Sequence, residues 1–251
     1  MEKMIIALEN VTMADVKQVG GKNASLGEMI RNLSAAGIQV PRGFAITVSG
    51  YQQFMAHNTL HALVQDALNR FDPASLDNLP EVASKCRDLI LKSEFPPMLK
   101  DAILKAYNQL AKGDATASFA VRSSANAEDS ETASFAGQHD SFLNVSGEEE
   151  ILDAVRKCYA SLFNDRAIKY RVDNNISHML IGQSVGIQQM IRSDVGCSGV
   201  AFTIDPETGN NNVVYITGAW GLGESIVQGA VNTDEFYLFK PALDKGLNAI
   251  T

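Results

Sequence analysis

The spacing of apolar residues changes along this chain, and the change sets the fold class. Over the first 112 residues, apolar side chains recur at helical intervals, which predicts helices that each bury one face. The first of these helices carries its apolar stripe at Leu26, Met29, Ile30 and Leu33. Gly37 and Pro41 follow the stripe and end this helix. Four more helices are predicted near 48–57, 60–70, 80–93 and 97–111.

From Ser118 the pattern becomes a mixture of strands and helix. Strands are predicted at 119–121 and 139–145. A helix follows, and Ser146 and Glu149 are spaced for a capping box, in which each side chain accepts a hydrogen bond from the other residue's amide. The buried stripe of this helix is predicted to be Ile151, Ala154, Val155, Cys158 and Leu162.

After about residue 183 the chain is rich in strands and tight turns. Strands are predicted at 184–191, 198–204, 213–217 and 235–239. The segment DPETGN at 205–210 has the composition of a tight turn between two of them. Helices, then a mixed section, then strands indicate an α+β protein with at least two lobes. We place the first lobe at residues 1–183 and the strand-rich second lobe at residues 184–251.

Composition and charge exclude several classes of protein. Of the 251 residues, 45% are apolar and 20% are charged, as in ordinary globular domains. The net charge of −8 argues against a nucleic-acid partner, whose binding requires an excess of Lys and Arg. The sequence contains no apolar stretch of membrane-spanning length and no pattern typical of a secretory signal. Cys86, Cys158 and Cys197 are far apart and have no neighbouring His or Cys, which favours reduced thiols in a cytoplasmic protein over disulfides or a zinc site.

The segment VGGKNAS at 19–25 combines two glycines and a lysine with the start of a helix. The glycines allow a sharp turn and a close approach between the backbone and a ligand. The helix start offers unpaired N–H groups and Lys22 adds a positive charge, so the segment suits an anion such as phosphate. It is not a Walker A loop, because Val16 and Asn23 stand where that motif has Gly and Ser or Thr. A plain turn before a helix is the alternative interpretation.

The segment FAVRSSA at 119–125 is a predicted strand that brings Arg122 into a loop rich in hydroxyl groups. A planar guanidinium matches phosphate oxygens, and the small neighbouring residues leave room for a ligand. Further on, small residues surround Gly137, which suits a loop that lies across phosphates. The alternative is a surface loop in which Arg122 pairs with Glu128 or Asp129.

The remaining motifs carry less information about chemistry. The Gly-x-Gly at 221–223 lacks the third glycine and the following acidic residue of a dinucleotide fingerprint, so a structural turn is favoured there. No nucleophile–base pair and no Gly-x-Ser-x-Gly elbow is evident in the sequence. These patterns therefore identify no catalytic residue.

Several segments form an ordered set along nearly the whole chain. They are VGGKNASLGEM at 19–29, VPRGFAIT at 40–47, FAVRSSANAEDSETASFAGQHDSFLNV at 119–145, SLFNDRAIKYR at 161–171, GIQQMIRSDVGCSGVAFTIDPETG at 186–209 and AWGLGESIVQGAVNTDEFYLFKP at 219–241. Together they resemble the N-terminal, ATP-binding part of the family that contains phosphoenolpyruvate synthase and pyruvate phosphate dikinase. The segments SLFNDRAIKYR and GAVNTDEFYLFKP are most similar to the phosphoenolpyruvate synthase branch of that family.

The resemblance implies an ATP-grasp fold that binds ATP together with Mg²⁺. It places the phosphate-binding lysine of the family at Lys22 and the phosphate-binding arginine at Arg122. The glycine of the phosphate-covering loop matches Gly137, and a hydroxyl residue that is commonly Thr in the family is Ser141 here. The glutamine that contacts the nucleotide matches Gln188.

The resemblance also implies a reaction in which ATP, pyruvate and water become phosphoenolpyruvate, AMP and phosphate through a phosphohistidine. In this family the phosphohistidine, the magnesium-binding acidic residue and the segment that completes the ATP pocket follow the part that this chain resembles. We therefore expect no catalytic or metal-binding residue within 1–251 and an ATP-grasp domain that is incomplete at its C-terminal end. Such a chain should bind ATP weakly and transfer nothing by itself. Exposed apolar edges at its strand-rich end should make it poorly soluble or cause it to dimerise.

Two alternatives stay open at this stage. The first is another phosphotransferase built on the same front domain, such as pyruvate phosphate dikinase or an antibiotic-modifying relative. The second is a nucleotide-binding module without catalytic activity.

Overall fold

The computed structural model describes residues 3–73, 75–114, 116–125, 129–130, 133–134 and 140–250. Contacts within the chain divide it into two units, Met1–Met190 and Ile191–Thr251. Helices dominate the described part of the first unit and strands dominate that of the second, which confirms the α+β class. None of the described helices is both long enough and apolar enough to cross a membrane.

The first unit is organised around an antiparallel sheet. Its described strands are β1 (Ile5–Ala7), β2 (Gly43–Ile46), β3 (Phe119–Ala125), β4 (Asp129–Ser130), β5 (Ala133–Ser134), β6 (Ser141–Val145) and β7 (Gln183–Gln189). Within the described residues, five of them form one sheet in the order β1-β2-β7-β3-β6, while β4 pairs with β5. β7 is the central strand, and six of its seven residues are buried.

The central position of β7 sets the division between the two units. The sequence pattern predicts a second lobe that starts at residue 184. In the structure β7 pairs with both β2 and β3, so that Ile187 lies opposite Phe44 on one side and Val121 on the other. These pairings make β7 part of the first unit, and the division falls between Met190 and Ile191 rather than between 183 and 184.

Helices cover both faces of this sheet. The described α-helices of the first unit are α1 (Val16–Leu33), α2 (Val48–His57), α3 (Leu60–Leu68), α4 (Leu79–Leu91), α5 (Pro97–Ala111), α6 (Glu148–Ser161) and α7 (Asp165–Asp173). The helices predicted at 48–57 and 97–111 have the predicted bounds, and those predicted near 60–70 and 80–93 are each shorter by two residues at the C-terminal end.

The two faces of the sheet differ in what they contact, because alternate residues of a strand point to opposite faces. Phe44, Val121 and Ile187 join a large apolar core together with residues of α2 to α7. Ala45 points the other way and joins a smaller apolar cluster that includes Val19 of α1. The sheet therefore separates the main helical core from a second face, which α1 covers. We call this second face the α1 face.

The N-terminus of α6 differs from the predicted capping box. Its N-cap is Gly147, with φ 86° and ψ 154°, and no side chain caps the helix at that residue. The amide of Ser146 donates instead to the carboxylate of Glu150 at 3.1 Å. The predicted pairing of Ser146 with Glu149 is wrong because the backbone at Gly147 starts the helix one residue later. The predicted buried stripe is confirmed at Ile151, Ala154, Val155, Cys158 and Leu162.

A charged guanidinium group is buried in the helical core. The side chain of Arg171 is fully buried, its Nε donates to Nδ1 of His178 at 2.9 Å, and its guanidinium carbon lies 5.5 Å from the ring centre of Phe163. Burial lowers the pKa of Arg171 to about 10. Burial, together with the nearby charge of Arg171, lowers the pKa of His178 to about 4. Near neutral pH His178 is therefore uncharged and accepts the hydrogen bond from Arg171.

The second unit contains β8 (Cys197–Phe202), β9 (Val213–Trp220) and β10 (Asp234–Phe239), with the short helices α8 (Gly223–Val227) and α9 (Lys240–Leu243). Over the described residues 191–250, the strands form an antiparallel sheet in the order β10-β9-β8. The predicted turn at 205–210 is confirmed, because the Asp205 carboxylate accepts from the amide of Glu207 at 3.0 Å and from the hydroxyl of Thr208 at 2.6 Å. Large apolar side chains are exposed on this unit at Ile191, Val195, Trp220 and Val227.

Candidate functional site

A glycine divides α1 into two helical segments. Gly20 has φ 74° and ψ 164°, a conformation that is adopted almost only by glycine, while the rest of α1 is helical. A second helical segment therefore starts directly after Gly20. This confirms that the segment 19–25 lies at a helix start, although residues 16–19 before it are helical as well.

Gly20, at the bend of α1, packs closely against β3. A Cβ atom at Gly20 would lie closer than 3 Å to both the hydroxyl and the carbonyl oxygen of Ser124. The same hydroxyl accepts a hydrogen bond from the amide of Asn23 at 3.4 Å. The first turn of the second segment is thereby attached to the strand that carries Arg122.

Two cationic residues belong to the elements that meet here. Lys22 is exposed and lies in the first turn of the second segment of α1. Arg122 is the exposed residue of β3, whose six other residues, all described, are buried. Full positive charges beside a helix start favour an anion, and a guanidinium can bind two of its oxygens at once.

The register of the strands brings further predicted residues next to Arg122. On β3, Arg122 lies opposite Ser141 of β6 on one side and opposite Gly186 of β7 on the other. Gln188 follows Gly186 by two residues and so points to the same face. The Nε2 atom of Gln188 donates to the carbonyl oxygen of Pro41 at 3.0 Å, which holds the side-chain amide near the C-terminal end of β7.

A cavity of about 340 Å³ lies between α1 and the sheet. Its polar lining includes Lys22, Arg122 and Gln188. Its apolar lining includes Leu8, Leu26 and Met29. The volume is within the range of small-molecule sites, and a cavity lined by both cationic and apolar side chains can accept a ligand that has an anionic and an apolar part.

Three of the five predicted site residues thus meet at one cavity: Lys22, Arg122 and Gln188. Ser141 is adjacent to Arg122 in the sheet but does not line the cavity. Gly137 lies outside the described residues, and so does Glu128, one of the two acidic residues that the alternative interpretation pairs with Arg122.

Sequence reasoning missed the buried polar residues that support the cavity. Asn23, Ser124 and Ser184 are 3%, 1% and 0% exposed. The side-chain amide of Asn23 donates to the carbonyl oxygen of Val19 at 3.0 Å and to the hydroxyl of Ser184 at 3.1 Å. The available signal was a set of small polar residues within apolar segments. Asn23 lies 101 residues from Ser124 and 161 from Ser184 along the chain, so no local pattern could connect them.

The glycine motif at 221–223 is a turn of the second unit. Gly221 has φ 88° and its amide donates to the carbonyl oxygen of Gly196 at 3.2 Å, directly after β9. The structural turn favoured from the sequence is confirmed.

The cysteines are free thiols in different environments. Cys86 and Cys158 are buried and Cys197 is exposed. Burial raises the pKa of the Cys86 thiol to about 11 and also raises that of Cys158. Among the residues that the structure describes, no three His, Cys, Asp or Glu side chains converge so that they could hold a metal ion.

Comparison with known proteins identifies similar sequences over the whole chain. The family model described as "Pyruvate phosphate dikinase, AMP/ATP-binding domain" matches residues 16–250. The phosphoenolpyruvate synthase of Pseudomonas aeruginosa is 47% identical over 250 residues, covering 100% of this chain and 32% of that protein. The phosphoenolpyruvate synthase of Escherichia coli is 49% identical over 247 residues, covering 98% of this chain and 31% of that protein. The chain spans about a third of the length of the curated relatives it matches.

Proposed function

This chain belongs to the pyruvate phosphate dikinase, AMP/ATP-binding domain family, and we propose that the cavity on its α1 face binds ATP. The observation that carries the proposal is the meeting of Lys22 and Arg122 at one cavity, although they are 100 residues apart in sequence (122 − 22). A plain turn at 19–25 would not require a second cation from a distant strand. A binding site for a polyphosphate does require it, because several negative charges must be neutralised together.

Each predicted residue has a specific role in this proposal. Lys22 and the start of the second segment of α1 neutralise phosphate oxygens, and Arg122 holds two such oxygens with its planar group. Gln188 contacts the nucleotide near the C-terminal end of β7. Gly137 belongs to a loop that covers the phosphates, and Ser141 supplies a hydroxyl donor next to Arg122. The roles of Gln188, Gly137 and Ser141 rest on the family resemblance, and that of Ser141 also rests on its register position opposite Arg122.

The chemical task of such a site is to position ATP and to neutralise its charge. Phosphoryl transfer needs little covalent chemistry from the protein, so alignment and electrostatic stabilisation supply most of the rate. The described residues do not form a metal site, so we assign no magnesium ligand to them. Magnesium is proposed as the ion that accompanies ATP, and none of the residue roles given above depends on it.

We further propose that the fold is of the ATP-grasp type. The first unit would be the lobe that carries the phosphate-binding residues, and the second unit would be the strand-rich beginning of the other lobe. Family membership and the antiparallel sheet in each unit support this assignment.

For the complete protein we propose the reaction that the names of the relatives imply. Pyruvate, ATP and water would become phosphoenolpyruvate, AMP and phosphate, through a phosphohistidine outside residues 1–251. The identities of 47–49% to phosphoenolpyruvate synthases favour this reaction over that of pyruvate phosphate dikinase. We also propose a cytoplasmic location, in keeping with three free thiols, and dimerisation through the exposed apolar residues of the second unit, which sedimentation analysis can test.

The ATP site is tested by replacing the two cationic residues. Lys22→Ala and Arg122→Ala should each weaken ATP binding about tenfold or more, since a hydrogen bond to a charged group contributes about 1.5–3 kcal/mol. Affinity should also fall with added salt, because both residues are exposed and their charges are screened. Nuclear magnetic resonance titration suits the weak binding expected.

Lys17→Ala is the matched control, because Lys17 is an exposed lysine of the same helix that does not line the cavity. It should bind ATP like the unaltered chain. Equal ATP affinity in Lys22→Ala, Arg122→Ala and Lys17→Ala would show that ATP, if it binds, binds elsewhere.

A further inference from the structure

Asn23 links the two segments of α1 to each other and to the sheet. Its side-chain amide donates to the carbonyl oxygen of Val19, which precedes the bend at Gly20, and to the hydroxyl of Ser184 on β7. The Ser184 hydroxyl in turn donates to the carbonyl oxygen of Ile46 on β2 at 2.6 Å. One buried side chain therefore connects both halves of a bent helix with two neighbouring strands.

The space around Asn23 shows that this contact is close. A Cβ atom at Gly186 would lie closer than 3 Å to Oδ1 of Asn23, so only glycine leaves room for the amide at this position of β7. Gly186 is also the residue that lies opposite Arg122 in the sheet. The side chain of Asn23 therefore packs against β7 at Gly186, directly beside the position of Arg122 on β3.

The backbone of Asn23 makes a separate contact with β3, the strand that carries Arg122. Its amide donates to the hydroxyl of Ser124, two residues after Arg122. Lys22 immediately precedes Asn23, so its position relative to Arg122 depends on the contacts of Asn23 with β3 and β7. If the side-chain amide of Asn23 were lost, the second segment of α1 could shift on the sheet, because the backbone at Gly20 can change its angles.

We infer that Asn23 is a positioning residue that holds Lys22 at a fixed distance from Arg122. Asn23 lines the cavity, but both hydrogen atoms of its side-chain amide are already donated to Val19 and Ser184, so its side chain has no hydrogen left to donate to ATP. This inference rests on the proposed ATP site. The inference gives Asn23, Ser184 and Gly186 a role in positioning Lys22, whereas the family resemblance assigns no role to these three residues.

A double-mutant cycle with Lys22 separates positioning from general loss of structure. Asn23→Ala should weaken ATP binding about fivefold in the unaltered chain, but by less than about twofold when Lys22→Ala is already present. The two changes are non-additive because Asn23 acts through Lys22. Adenosine, which lacks phosphates, should bind Asn23→Ala and the unaltered chain equally. A merely structural role would weaken adenosine binding as well.

Two milder variants allow the inference to be tested even if Asn23→Ala does not fold. Asn23→Ser has one hydroxyl donor in place of two amide donors and adds no charge, and it should lose part of the ATP affinity that Asn23→Ala loses. Ser184→Ala removes one of the two acceptors and should give an intermediate loss. Circular dichroism and the melting temperature of each variant show whether its fold is intact.

The outcomes distinguish this inference from the proposed function. If Lys22→Ala weakens ATP binding but folded variants at Asn23 and Ser184 do not, the positioning role is wrong and the ATP site stands. Equal losses from Asn23→Ala with and without Lys22 also overturn the positioning role. If Lys22→Ala has no effect on ATP affinity, the proposed site itself fails, and the role of Asn23 fails with it.

Discussion

Gly20→Ala tests how much the close packing of Gly20 against β3 contributes to stability. The backbone at Gly20, with φ 74° and ψ 164°, lies in a region that costs a residue with a Cβ atom about 1–3 kcal/mol. The overlap with Ser124 adds a second term, and overpacking of this kind typically costs about 1–3 kcal/mol. The combined loss of about 2–6 kcal/mol is large compared with a typical free energy of unfolding of about 5–15 kcal/mol.

Gly147→Ala isolates the first of these two costs. Gly147 has nearly the same backbone conformation, with φ 86° and ψ 154°, but a Cβ atom there would meet nothing within 4 Å. Both substitutions also restrict the unfolded chain in the same way, so that contribution cancels. Gly147→Ala should therefore lose only the backbone part, about 1–3 kcal/mol. The difference between the two variants measures the contact with Ser124.

Urea denaturation followed by circular dichroism gives the free energy of unfolding of each variant. Gly20→Ala should be the less stable by about 1–3 kcal/mol. It should also bind ATP more weakly, because Lys22 follows the bend, whereas Gly147→Ala should bind like the unaltered chain. Equal stability of the two variants would refute the reasoning, since the packing of Gly20 against Ser124 would then contribute nothing.

Two predictions concern titratable side chains outside the cavity. Burial and the charge of Arg171 lower the pKa of His178 to about 4. Because the unfolded chain binds this proton more readily, the contribution of His178 to the free energy of unfolding should be fully present above about pH 6.5 and should be lost as the pH falls toward 4. His178→Asn keeps an acceptor for Arg171 but has no titrating group, so this variant should not show that part of the loss of stability. Urea denaturation at several pH values measures the difference, and a pH profile unchanged by the substitution would contradict the assigned role of His178. A thiol reagent should modify Cys197 alone in the folded chain and also Cys86 and Cys158 after unfolding, because the latter two are buried. Rapid modification of all three in the folded chain would contradict the observed burial.

Local features of the fold could be predicted from the sequence because their causes are local. The helices at 48–57 and 97–111 follow from apolar spacing, and the turn at 205–210 follows from Asp205. The predicted pairing of Ser146 with Glu149 is wrong, because the sequence does not show that Gly147 takes a positive φ and becomes the N-cap of α6. A helix boundary shifted by one residue is within the range that such patterns leave undetermined.

Features that depend on distant residues could not be predicted in the same way. The run of residues in β7 is typical of a strand, but nothing in it shows that Phe44 and Val121 are its neighbours. The boundary between the units was therefore placed before β7. The site has the same limitation, since the spacing around Lys22 left a plain turn as an alternative. The grouping of Lys22 with Arg122 came from the family resemblance, and their shared cavity depends on strand register.

The pairing of Phe44 with Ile187 also has a consequence for synthesis on the ribosome. At elongation rates of about 5–20 residues per second, about 7–30 seconds pass between the appearance of these two residues. During this interval β2 cannot pair with β7, and the backbone N–H and C=O groups on that side of β2 must remain hydrated or be shielded by a chaperone. The helices from α2 to α5 can form in the meantime, because their hydrogen bonds are local. The face that carries Lys22 and Arg122 is therefore assembled late, once the nascent chain has emerged as far as Gln189.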